Sequence, residues 1–151
     1  MVNTFSDGKN IYSVDMMFAY ANIFKPKTKN LKLSELTKHL EDNCWCDPKK
    51  KSNKLTPLMV LDNPTKYKNH MKRIKEANLK YPIFMYNDWI IDGMHRITKA
   101  KLEGKKSLKA INFSKNIFKK FLINSRGEWN KAVDLKEYEL IQLFYKKFCN
   151  K

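Results

Sequence analysis

Leu33, Leu36 and Leu40 fall three and four residues apart with polar residues between them, the spacing of one face of an amphipathic helix. A second helical rhythm follows Asn63-Pro64, a cap residue and a first-turn proline. Tyr67, Met71 and Ile74 then share one face, and the pattern predicts a helix from Pro64 to about Ala77. His70 and Arg73 flank that face, where a histidine more often packs than reacts. Near the carboxyl end, Leu135, Tyr138, Ile141, Tyr145 and Phe148 repeat at helical spacing behind a capping-box-like pair, Asp134 and Glu137. This predicts a final helix with its aromatic stripe in the core.

Other segments read as strands. Lys9 to Phe24 is rich in Ile, Tyr, Val, Met and Phe and reads as strand, with Asp15 pointing outward and a basic turn following from Lys25 to Asn30. Tyr81 to Tyr86 and Trp89-Ile90-Ile91 form two short apolar runs joined by Asn87-Asp88, a plausible hairpin turn. The second run leads into Asp92-Gly93, after which His95 to Glu103 reads as helix, stopped by Gly104. Leu108 to Phe113 returns as strand, and Lys115 to Ile123 is a short basic helix or strand before a turn at Ser125 to Glu128. Asp47-Pro48 and the lysines at 49 to 51 mark an exposed loop. The expected architecture is α/β (α+β), a small mixed sheet flanked by helices in a single domain over residues 1–151.

Hydrophobic residues at 42% are enough for a packed core despite 30% charged residues. No apolar stretch is long enough to span a bilayer, and Met16 to Phe24 lacks the basic leader of a secretory signal, so no membrane partner is expected. Cys44, Cys46 and Cys149 show neither disulfide nor zinc-ribbon spacing, which points to a reducing, cytoplasmic compartment. A formal net charge of +16 favours anionic partners, a nucleotide or else DNA or RNA, although lysine-rich composition alone produces the same excess.

Chemistry concentrates in Asp92-Gly93-Met94-His95-Arg96, where a strand becomes a helix. A helix opening has unpaired backbone N–H groups and partial positive charge. A phosphate there would meet those donors, the Arg96 fork and His95, with Gly93 permitting close approach. Asp92 is positioned to ligate a divalent metal such as Mg²⁺ on the phosphates or to accept a hydroxyl proton. Asp92 and Gly93 by themselves are also what an inert capped turn would use; the full Asp-Gly-x-His-Arg set in one turn raises the functional reading.

This turn, followed by Lys99-Ala100 and Gly104 and preceded by Tyr81-Pro82-Ile83, resembles the signature of the ParB/sulfiredoxin superfamily over about Leu79 to Phe113. The resemblance implies a ParB/sulfiredoxin-like domain and nucleotide-phosphate contacts at Gly93, His95 and Arg96, with Met94 and Lys99 beside them. It implies ATP or another nucleotide as ligand, and in an enzyme of this kind Asp92 and His95 are the expected catalytic residues. Met94 stands where sulfiredoxins carry their reactive cysteine, and a thioether cannot do thiolate chemistry. The expectation is therefore a nucleotide-dependent phosphotransferase or nucleotide hydrolase, with Asp15 and Asp62 as candidate second carboxylates. The alternative is a DNA-binding protein or nuclease that uses the basic surface, and a third is an interaction module that lost catalysis.

Overall fold

A computed structural model describes residues 3–47, 52–125 and 136–149. The chain is mixed α/β. It divides into two compact units, one built from residues up to 27 and from 113 onward, the other from Thr28–Asn112.

In the first unit β1 (Thr4–Ser6) and β2 (Asn10–Ser13) form an antiparallel hairpin, and β9 (Leu122–Ser125) pairs with the other edge of β2. Asp7 Oδ1 makes the hairpin turn by accepting the N–H groups of Lys9 and Asn10 at 2.8 and 2.7 Å. The segment expected as one strand from Lys9 to Phe24 changes state at Ser13. Its Oγ accepts the Met16 N–H at 3.0 Å and caps α1 (Val14–Phe24). Apolar composition had favoured strand, but the cap and Asp15 in the first turn open a helix. After α6 (Lys115–Phe118), capped by Ser114, a 3₁₀ turn leads into β9.

The carboxyl-terminal helix α7 (Glu137–Phe144) forms as expected and passes into a π-helical turn, Tyr145–Cys149. Its buried face differs from the expected one. Leu140 and Phe144 are buried, whereas Tyr138, Ile141 and Tyr145 are 56 to 63% exposed. Phe144 and Phe148 instead join an aromatic cluster with Tyr20, Phe24 and Phe121. The expected cap at Asp134, the lysines at 49 to 51 and most of the turn after Ser125 lie outside the described residues.

The second unit holds a four-stranded mixed sheet in the order β3-β8-β6-β7, with β3 at Lys29–Lys32, β6 at Ile83–Tyr86, β7 at Trp89–Asp92 and β8 at Ser107–Asn112. β6 runs parallel to β8, and the other pairings are antiparallel. Asn87 adopts a left-handed φ of 53° in the β6–β7 hairpin, as its place there predicted. The expected helix at Leu33 becomes α2 (Leu33–Leu36) and a 3₁₀ turn, Thr37–Glu41, with Leu33, Leu36 and Leu40 all buried.

A two-stranded ribbon, β4 (Trp45–Asp47) with β5 (Ser52–Leu55), precedes α3 (Pro57–Asp62). Thr56 caps α3 with Pro57 at its start, a signal of the same kind as Asn63-Pro64. The helix expected from Pro64 therefore begins later, as α4 (Lys68–Glu76), because Asn63 ends α3 and turns follow it. α5 (Met94–Leu102) follows β7, and Gly104 stops it at φ +67°, as expected. Ile74 of α4 and Met94, Ile97 and Ala100 of α5 pack with Ile83, Met85, Leu108 and Ala110 of the sheet into one core.

Candidate functional site

Gly93 stands between β7 and α5 with φ +123°, a conformation that side-chain-bearing residues rarely adopt. A Cβ there would also lie 2.5 Å from Ile83 Cγ2. The glycine thus lets β7 turn sharply into α5 against buried Ile83. It supplies no side chain to cap the helix, and Asp92 does not do so either. The first helical bond runs from the Ile97 N–H to the Gly93 carbonyl at 2.9 Å, so the N–H groups of Met94, His95 and Arg96 precede it at the helix opening.

Asp92 instead turns to Arg96, one helical turn on, and the two form a close ion pair through Oδ2 and Nη2. Arg96 is 9% exposed, and its Nη1 donates to the carbonyls of Tyr81 and Pro82 at 3.2 and 2.8 Å. The guanidinium therefore fastens the loop before β6 to α5. Burial pushes the Asp92 carboxyl above its ordinary value, and Arg96 pulls part of that back.

The other expected phosphate contacts go different ways. Met94 is buried in the core. Lys99 sends its ammonium to the end of α4, donating to the carbonyls of Lys75 and Ala77 at 2.8 and 2.7 Å, where a cation satisfies orphan helix acceptors. Asp15 lies in the first unit and holds Asn3, while Asp62 is exposed at the end of α3.

His95 has a different surrounding. Its Nε2 lies 3.2 Å from Nδ1 of His70 on α4, and both imidazoles stack on the Trp45 indole with centroids 4.3 and 4.6 Å away. The imidazole centroids are 5.5 Å apart, too close for rings on opposite indole faces, so both lie on the same one. That separation exceeds the nitrogen distance by about one ring diameter. The two nitrogens therefore meet head-on, as in an N–H···N bond, rather than converging on a common ligand.

Burial, His70, Arg73 and Arg96 together bring His95 down to about 4. Burial also lowers His70, against a backbone hydrogen bond to Cys46, and Arg73 lowers it further. Both rings are neutral at pH 7. His95 is thus a donor and acceptor, not a phosphate-binding cation.

His70 and Trp45 are the residues that sequence reasoning missed. The place of His70 beside an apolar helix face reads as packing, and only its partnership with a histidine 25 residues away gives it chemistry. Among the described residues no group of three or more His, Cys, Asp or Glu side chains is placed to hold a metal ion, and no helix is long and apolar enough to cross a membrane. Cys44, Cys46 and Cys149 are free thiols.

No family model, curated protein or solved structure matches the chain.

Proposed function

We propose that this protein binds a nucleotide through its phosphates at the opening turn of α5 and transfers or hydrolyses the terminal phosphoryl group. The observation that carries this reading is His95. It is a neutral, partly exposed imidazole in the first turn of a helix without a side-chain cap, and Arg73 and Arg96 both act on it. Helix-opening N–H groups and nearby cations suit a phosphate, and a neutral imidazole suits the oxygen that attacks it. Phosphoryl transfer needs mainly position and charge neutralisation. The likeness of Asp92 to Arg96 to the ParB/sulfiredoxin turn supports the same class.

Arg96 holds Oδ2 of Asp92, so a magnesium ion would have only Oδ1 of this carboxylate. The test is a thermal-shift screen with ATP, ADP, CTP and GTP, each with and without Mg²⁺, followed by phosphate-release assays on any binder. A ligand specific to the folded state raises the melting temperature, and His95→Ala is expected to reduce that rise. No shift with any nucleotide overturns the reading.

A second reading, nucleic-acid binding, rests on a surface groove of about 490 Å³ on α4 lined by Lys68, Lys72, Lys75 and Glu76 beside Pro64, Thr65 and Met71. DNA affinity that falls steeply between two salt concentrations would support it, whereas nucleotide binding that persists in salt supports the first.

A further inference from the structure

Resting on that reading, we propose that His70 is a positioning residue that fixes the tautomer of His95, leaving His95 Nδ1 as the base for the attacking oxygen. The proton between the rings can be assigned. The Cys46 backbone acts on His70 in the direction that favours its protonated ring, as an acceptor of a ring N–H does. Its Nδ1 faces His95, so the donor is Nε2, and a neutral His70 then has a bare lone pair on Nδ1. This arrangement puts the bridging proton on His95 Nε2 and leaves His95 Nδ1 unprotonated, the tautomer that the proposal assigns.

The stack supplies the orientation. Trp45 is 8% exposed and both imidazoles lie within 18° of its plane, so neither ring can swing out of the hydrogen bond without leaving the indole face. The same face tempers a transient positive charge on the pair. The charged groups acting on His95 are Arg73 from α4 and Arg96 from α5.

In the reaction, an oxygen of water or an acceptor hydroxyl forms a bond to the terminal phosphorus as the bridging P–O bond breaks. The electron pair of that bond leaves with the remaining nucleotide. The proton of the attacking oxygen passes to His95 Nδ1 and then to solvent. No oxidant, reductant or further reactant is needed.

The experiment uses the full chain labelled with ¹⁵N-histidine. Long-range ¹H–¹⁵N spectra at pH 7 are expected to show both His70 and His95 protonated on Nε2 and bare on Nδ1; a His95 protonated on Nδ1 overturns the assignment. His70→Phe keeps a ring on the indole and removes the acceptor, whereas His70→Asn returns an acceptor oxygen near the Nδ1 position. His70→Phe should lower kcat about tenfold or more with KM unchanged, and His70→Asn should restore most of it. If nucleotide turns over equally in all three proteins, the positioning role is wrong while the phosphotransferase reading stands. If no nucleotide binds, that reading fails and the catalytic role fails with it. Should His70→Phe not fold, the wild-type tautomer and the His70→Asn kinetics still decide.

Discussion

Ile83 Cγ2 lies 2.5 Å from the point where a Cβ on Gly93 would stand. Two demands therefore meet at one glycine, a φ of +123° and the space taken by a fully buried strand residue. Gly93→Ala is expected to cost about 2–4 kcal/mol, from backbone strain together with overpacking. Urea denaturation measures it. Ile83→Ala removes the Cγ2 methyl but keeps the Cβ at 2.8 Å, so the double variant should lose somewhat less than the sum of the single losses. Strict additivity would show that the Cγ2 contact is not the cause.

Arg96 belongs to the same junction, and its expected effect is on stability. Arg96→Ala strands the Asp92 carboxylate and leaves the Tyr81 and Pro82 carbonyls without this donor, a loss of about 3 kcal/mol. Arg96→Lys should recover only part, since an ammonium cannot span three acceptors in a fork. Asp92→Asn retains an acceptor for Arg96 and should cost roughly 1–2 kcal/mol. A folded Arg96→Ala protein as stable as wild type but unable to bind nucleotide would return Arg96 to a phosphate role.

Lys99 gives a similar contrast between anchor and ligand. Lys99→Met keeps most of the stem and removes both bonds to the end of α4, with an expected cost of about 1–2 kcal/mol. Amide exchange should speed up in the last turn of α4, around Ile74 to Ala77, with little change in α1. Unchanged exchange there together with weakened nucleotide binding would reverse the assignment.

What could be read from sequence was local. Asn87 in its hairpin, Gly104 after α5 and the Leu33, Leu36, Leu40 stripe depend on neighbours a few residues away, and each is found where its pattern put it. Segments with two local solutions misled. Val14 to Phe24 has strand composition but a helix cap, and the last helix carries two apolar stripes, one through Tyr138, Ile141 and Tyr145 and one through Leu140 and Phe144. Only tertiary packing chose the second. The site suffered most from this. The direction of the long Arg96 and Lys99 side chains, and the meeting of His70 with His95, depend on how α4 lies against α5, which no single segment encodes.

The histidine pair also makes stability depend on pH, with a sign opposite to that of a salt-bridged histidine. An unfolded histidine titrates near 6.5, whereas folded His95 does so at about 4 and His70 is lowered as well. Above about pH 7 both states are neutral and the pair has no pH effect. As pH falls below about 6.5 the unfolded chain takes up protons first, so stability is lost progressively until folded His95 is also protonated near pH 4. Asp92 works the other way, since a raised carboxyl favours the folded state as it protonates, so the wild-type curve alone mixes the two. His95→Gln separates them, because its amide can still donate to His70 Nδ1 but does not titrate. Relative to its offset at pH 7.5, the variant should gain on wild type by roughly 2 kcal/mol at pH 4.5, after allowance for the partial exposure of the ring. Denaturation midpoints across that range give the comparison. Parallel curves for the two proteins would mean that His95 is not held neutral in the folded state, and the hydrogen-bonded pair on Trp45 would have to be abandoned.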